Sequence, residues 1–344
     1  MYAEKLSSLN KKFYSFIEKL PEYPTIGIMR FLFRILPFEY LGNHEVEDER
    51  LKTVLRGPAK DSNLELENPV ILAAGYSEPF MLRKAARMGF SAVTAKCSKE
   101  PMEGNKGRTI IRTPEGPLNS AGYKNMGMVK SYAYLEKIRK KVGPSKRIIL
   151  NISDSCVDNY LAIIRYMDDM ERKNGIAVVD AFELNSCPNT CDSGRFDFFS
   201  NHEYAKDIFR ESRKATKKPI ILKLPRREDS PDIYKHTIPI AIDNGVTILN
   251  YANTKRVKDE RFRSGECGLS GPALLEDTLE NVEMLYREFG DHADIIATGG
   301  IYSPASAYLA RKKGAKGISY ITAFPSDIFL AKRINQLFSE SGFK

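Results

Sequence analysis

The sequence is poor in the residues that build metal centres and covalent frameworks. It has 4 His, at positions 44, 202, 236 and 292, and no two stand at metal-ligand spacing. A zinc or other histidine-based metal site is therefore not expected. Its 5 Cys, at 97, 156, 187, 191 and 267, are odd in number and form no paired framework, which indicates a reducing, cytoplasmic setting. None of them clusters as an iron–sulfur centre requires. No apolar run approaches the about 20 residues that span a bilayer. The first residues lack the apolar core and small-residue cleavage site of a signal peptide. No G-x-G-x-x-G follows the first regular strand, which argues against an open dinucleotide-binding sheet.

What is present suits a large α/β protein. At 344 residues and 42% hydrophobic content the chain can form one large domain or two ordinary ones around an ample core. The net charge is 53 − 44 = +9, compatible with anionic ligands, an anionic membrane face or nucleic acid. The Lys and Arg are interspersed with Glu and Asp along amphipathic segments, as on a solvated surface, so no nucleic-acid partner is expected.

Residues 1–45 have the composition of a separate helical extension preceding a domain over 46–344. Leu9 to Leu20 has helical periodicity, broken by Pro21 and Pro24. In Ile26–Leu36, Arg30 and Arg34 share one face of an otherwise large and apolar segment. Such a helix lies in a membrane interface, covers an apolar cavity, or packs as an ordinary helix. Leu51 to Leu66, around Gly57-Pro58-Ala59-Lys60-Asp61-Ser62-Asn63, reads as a short β-hairpin.

From Asn68 onward the pattern is regular. Apolar runs at 70–74, 91–95, 147–152, 178–185, 219–224, 246–250, 294–298 and 317–321 alternate with amphipathic segments at 127–141, 157–173, 202–216, 273–289 and 303–313. Near-continuously apolar strands imply a parallel sheet covered on both faces. Eight such units predict a closed (β/α)8 TIM barrel, with a doubly wound open sheet as the alternative.

Barrel chemistry belongs where strands end, and unusual polar residues recur there. Ala74-Gly75, Lys96-Cys97, Asn151, Asn185 to Asn189, Lys223, Asn253-Thr254, Gly299-Gly300 and Thr322 close successive strands. Cys187, in Asn185-Ser186-Cys187-Pro188-Asn189, is the residue of its stretch able to hold negative charge near neutral pH; a buried structural thiol is the competing reading. A lysine inside Ile-Leu-Lys223-Leu-Pro needs a partner to be buried. Gly299-Gly300 before a helix near Ser303, with Gly271 upstream, suits an anion such as a phosphate.

The order of Asn68-Pro69, Lys96-Cys97-Ser98, Leu118-Asn119-Ser120-Ala121-Gly122-Tyr123-Lys124-Asn125-Met126-Gly127, Ser186-Cys187-Pro188-Asn189, Lys223-Leu224-Pro225, Asn253-Thr254, Gly268-Leu269-Ser270-Gly271 and Thr298-Gly299-Gly300-Ile301 resembles the dihydroorotate dehydrogenases. These are FMN-containing (β/α)8 barrels. The resemblance implies FMN as cofactor and oxidation of dihydroorotate to orotate. Cys187 then stands where the soluble, class 1 enzymes keep a cysteine base, and Lys223 where a lysine stands beside the flavin N1/O2 edge. Lys96 matches the lysine near flavin and substrate. Asn119, Asn185, Asn189 and Asn253, with Thr254, match the substrate-holding ring. Ala74, Gly75, Cys97 and Asn151 join the cofactor contacts, and Gly271, Gly299, Gly300 and Thr322 match the FMN phosphate region.

The chain departs from the family pattern in several places. One residue is missing between Asn185 and Cys187, Ala121 replaces a usual methionine, Glu78 stands where class 2 enzymes have lysine, and Cys191-Asp192 replaces Pro-Gly. The amphipathic extension is similar to that of class 2 enzymes, whose helical pair admits quinone. The electron acceptor (quinone, fumarate or another) is open, as is peripheral attachment to a membrane surface through residues 1–45. The competing functions are an FMN oxidoreductase for another dihydropyrimidine or alkene, a non-catalytic flavin-binding barrel, and a tRNA dihydrouridine synthase.

Overall fold

The computed structural model describes residues 45–342 except 77–78, 188, 192–193, 197–198 and 200. The expected helical extension lies outside these residues apart from Glu45, which pairs with Lys146 at 2.8 Å. Glu78, the side chain of Asn189 and Asp192 also lie outside.

A hairpin opens the described chain. Strands β1 (Thr53–Leu55) and β2 (Leu64–Leu66) pair antiparallel, and each alternates buried, exposed, buried. This period of two places Leu55, Leu64 and Leu66 on one face. That face packs on Ile71, Ala92, Ile149, Ala181, Ile221, Ile248 and Ile296. These residues stand near the starts of their strands, so the hairpin plugs the N-terminal end of the barrel.

The barrel strands are β3 (Val70–Leu72) and β4 (Ala92–Cys97); after short β5 (Ile110–Ile111) and β6 (Leu118–Asn119), they continue with β7 (Arg147–Ile152) and β8 (Ala181–Asn185). The loop after β8 carries the small hairpin β9 (Asn189–Cys191) and β10 (Gly194–Phe196). Then come β11 (Ile220–Lys223), β12 (Ile248–Tyr251), the paired β13 (Lys255–Lys258) and β14 (Glu266–Leu269), and finally β15 (Asp294–Thr298) and β16 (Ala315–Tyr320). Strands β3, β4, β7, β8, β11, β12, β15 and β16 close in that order, all parallel. All eight expected strands are there, and the open-sheet alternative falls because β16 pairs with β3.

Helices α1 (Pro79–Ala85), α2 (Gly127–Val142), α3 (Val157–Asn174), α4 (His202–Ala215), α5 (Ile238–Asp243), α6 (Leu275–Phe289), α7 (Pro304–Lys312) and α8 (Leu330–Ser341) surround the barrel. The five expected helical segments fall on α2, α3, α4, α6 and α7. Their ends follow local chemistry. Asn201 Oδ1 accepts from Glu203 N and Tyr204 N at 3.1 and 3.2 Å, capping α4. Pro304 opens α7 behind the Ser303 cap, where its missing N–H costs nothing. On α3, Tyr160, Ile163, Ile164 and Met167 form the buried stripe at helical spacing. Among the described residues no helix is long and apolar enough to cross a membrane.

One element was not legible in advance. Strands β5, β6, β14 and β13 form a four-stranded antiparallel sheet at the mouth of the barrel. Its pieces are two to four residues long and join segments more than a hundred residues apart, so no local periodicity marks them. One face buries Ile111, Leu118 and Cys267 with Phe262; the other faces the barrel mouth.

Candidate active site

The pleat that builds the apolar floor also builds the site. Two residues beyond Ala92, Ile149, Ala181, Ile221, Ile248, Ile296 and Gly317 stand Thr94, Asn151, Glu183, Lys223, Asn250, Thr298 and Ser319, all buried. A step of two keeps the same face of a strand, so a polar layer lies directly above the floor.

Glu183, 1% exposed, is the hub of that layer. Asn151 Nδ2 donates to its Oε1 at 2.6 Å, and Asn250 Nδ2 donates to its Oε2 at 2.5 Å. Asn250 Oδ1 then accepts from Thr298 Oγ1 at 2.6 Å and from Lys223 Nζ at 3.3 Å. Tyr123 OH donates to the Asn151 carbonyl at 2.7 Å. A buried carboxylate and a buried ammonium are thus linked through one amide, which satisfies most of their demand for partners. Burial lowers the Lys223 pKa, opposed by the charge of Glu183.

Above this layer a cavity of about 180 Å³ opens between the strand ends and the mouth sheet. It gathers Lys96, Asn151, Asn185, Cys187 and Lys223 from the barrel. Ala74 and Gly75 line it from the end of β3, Asn119 from β6, and Asn253 and Thr254 from the turn after β12. Ten of the residues singled out in the sequence therefore share one cavity. Tyr123, from the Leu118–Gly127 motif, lines it as well, as do Asp229 and Arg256, which carry no signal in a linear reading. Glu183 did: a carboxylate inside Ala-Phe-Glu-Leu-Asn is anomalous for a buried strand.

Cys187 is 5% exposed. Its Sγ contacts the Lys223 carbonyl at 3.8 Å, and its N–H donates to Asn185 Oδ1 at 3.4 Å. Burial pushes the thiol up to about 12, against the pull of the Lys223 charge and a hydrogen bond with Asn253. The thiol read from the sequence as able to hold negative charge near neutral pH is therefore a reluctant acid here.

Five residues lie apart from this cavity. Cys97 follows inward-facing Lys96 by one position, so its side chain turns outward into the strand–helix core, where burial raises its pKa to about 12. Gly271, Gly299, Gly300 and Thr322 do not line the cavity. Gly299 and Gly300 take φ of +110° and +71° after β15. Among the described residues the N–H groups of Gly299, Gly300 and Ile301 donate to no carbonyl, which leaves them available to an anion. A Cβ on Gly299 would stand 1.9 Å from Arg226 Nη2, and one on Gly300 would stand 2.4 Å from the Leu275 backbone. Arg226 is fully buried; it pairs with Asp277, and its Nη1 donates to Thr278 Oγ1 at 2.9 Å.

A flavin fits these groups. Among the described residues, Lys223 Nζ is buried with a single long hydrogen bond, leaving N–H to donate, and Ser319 Oγ is buried in the inward layer with no partner. Gly75 admits a close approach beside Ile321, where a Cβ would fall 2.5 Å from Cδ1.

Residues 59–341 match the sequence profile described as dihydroorotate dehydrogenase. The chain belongs to the dihydroorotate dehydrogenase family. It is therefore a flavin-linked oxidoreductase acting on CH–CH bonds. A putative dihydroorotate dehydrogenase A (fumarate) of Aquifex aeolicus is 29% identical over 276 residues, covering 76% of this chain and 85% of its own. The catalytic subunit of dihydroorotate dehydrogenase B (NAD(+)) of Desulforamulus reducens is 28% identical over 286 residues, 80% of this chain and 90% of its own. The crystal structure of DHODH from Eimeria tenella in complex with ferulenol shares the fold, with a TM-score of 0.72 and 19% identity across 94% of this chain and 93% of that one.

Proposed function

We propose that the protein oxidises dihydroorotate to orotate with FMN as its flavin, Cys187 acting as base. The observation that carries this reading is the meeting of Cys187 and Lys223 in one cavity with the amides of Asn119, Asn185 and Asn253. FMN, when bound, supplies the acceptor for the hydride leaving the substrate's CH–CH unit. Cys187 Sγ, as thiolate, takes the proton from the adjacent carbon. The amides of Asn119, Asn185 and Asn253 hold the ring so that this carbon faces the thiolate. Lys223 places its cation where negative charge develops, and the low-dielectric layer around Glu183 and Asn250 holds it in place. The unpaired N–H groups at Gly299 to Ile301 would hold the cofactor's phosphate, with Gly271 and Thr322 joining them on the family resemblance.

Anaerobic addition of dihydroorotate to the yellow holoprotein tests this. Bleaching of the flavin absorbance with stoichiometric orotate formation is expected; oxidised flavin that persists under excess substrate refutes it. A second reading, another dihydropyrimidine as substrate, is favoured by the shortened Asn185–Cys187 spacing and Ala121. The same assay with uracil- and thymine-type dihydropyrimidines separates the two. The relatives' names point to fumarate and NAD(+) as the first acceptors to try for reoxidation.

A further inference from the structure

The mouth sheet carries a feature that the proposed chemistry does not use. In its register Arg256 of β13 stands opposite Gly268 of β14, which stands opposite Asn119 of β6. Directly paired residues project to the same side of a sheet, and Leu118, Cys267 and Val257 occupy the opposite, apolar face. Asn119 and Arg256 therefore both face the cavity, with their strands two spacings, roughly 10 Å, apart. Gly268 puts no side chain between them. The space it leaves is filled by Thr254, whose Oγ1 would lie 2.1 Å from a Cβ at that position. Amide, hydroxyl and guanidinium thus form one row along the cavity wall.

Each member has hydrogens to give. Asn119 Oδ1 is engaged by the Ala121 N–H at 3.0 Å, which turns the amide NH2 away from that contact. The Arg256 guanidinium is half-buried and makes no hydrogen bond or ion pair among the described residues. Its backbone is fixed instead: Arg256 N donates to Asp229 Oδ2 at 3.1 Å. The neighbouring Lys255 is committed elsewhere, to Glu228 at 2.8 Å. Among the described residues, Lys96, Lys223, Arg256 and Asp229 are the charged residues lining the cavity, and their sum is cationic. A planar donor fork beside an amide NH2 is the arrangement that holds a carboxylate.

We propose that Arg256 determines specificity for the anionic group of the substrate, holding its carboxylate together with Asn119 and Thr254. This rests on the dihydroorotate reading, since that substrate carries one carboxylate on a planar-edged ring. Asp229 lines the same cavity; burial raises its pKa, and the backbone N–H and charge of Arg256 pull it back.

The test is binding of orotate and of its neutral carboxamide to the holoprotein, followed by flavin absorbance shift and by calorimetry. Wild type is expected to favour orotate. Arg256→Gln is expected to weaken orotate by at least about tenfold, the scale of losing a charge-assisted hydrogen bond, while carboxamide affinity moves less than about twofold. Arg256→Lys is expected to restore part of the preference, because the charge returns without the fork. Unchanged carboxamide binding shows that the variant pocket is intact. Wild type that binds orotate, with Arg256→Gln retaining the full preference for it, overturns the assignment alone. Wild type that binds neither compound overturns the substrate reading and the assignment with it.

Discussion

The acidity of Cys187 makes a demanding prediction. Burial beside β11 pushes the thiol up to about 12 despite the nearby Lys223 cation. At pH 7 the thiolate is then about one part in 10⁵ of the enzyme, and its share grows roughly tenfold per pH unit. The reactive form is the deprotonated one, so raising the pKa moves activity to higher pH. In stopped-flow flavin reduction at saturating dihydroorotate, the rate constant should climb with a slope near one in log rate against pH across about pH 7 to 9.5. A deuterium isotope effect on the carbon losing its proton should accompany the climb. Cys187→Ser should lower the rate by about 10² to 10⁴, the usual worth of a positioned base. The same shift bears on stability with a defined sign. A thiol whose folded pKa exceeds its unfolded one stabilises the fold below the unfolded pKa, and that contribution is lost as pH rises from about 9 towards 12. A rate that is flat over this range, or a serine variant within threefold of wild type, would refute the assignment of Cys187 as base.

Glu183 raises the pKa of both Lys223 and Cys187 by its charge, so Glu183→Gln should move the rising limb of the same pH profile to lower pH; a merely structural role would leave the limb in place. Gly299→Ala meets Arg226 Nη2 at 1.9 Å with φ +110°, whereas Gly143→Ala, at φ +77°, meets nothing within 4 Å. Chemical denaturation should show a cost of about 1–3 kcal/mol at Gly143 from backbone strain alone, and a clearly larger one at Gly299. Leu64→Ala, which opens a cavity in the barrel floor, should cost about 2–5 kcal/mol in the same measurement while orotate affinity holds.

The legible parts of this protein were the local ones. Each barrel strand announced itself because a strand buried on both faces is apolar at every position, and amphipathic helices between them fixed the order. The strand ends stood out because Lys96, Asn151, Asn185 and Lys223 interrupt apolar runs, which is costly unless a site uses them. Cys97 parts from Lys96 for a reason a linear reading does not show: the pleat sends neighbouring side chains to opposite faces. Arg226 left no trace, since an arginine after Leu-Pro in a polar loop looks solvated; only the turn at Gly299 and the carboxylate of Asp277 make it a buried group.

By itself the sequence determined the number and order of the barrel strands, the closed-barrel class and most of the residues at its mouth, because periodicity and strand-end chemistry act over a few neighbouring residues. Tertiary structure decided the rest. It joined Asn151, Glu183, Lys223 and Asn250 from four strands into one hydrogen-bonded layer, and buried Cys187 deeply enough to change its acidity. It also set Arg256, Gly268 and Asn119 in one row. Each depends on pairings between distant segments, whose register no single stretch of the chain encodes.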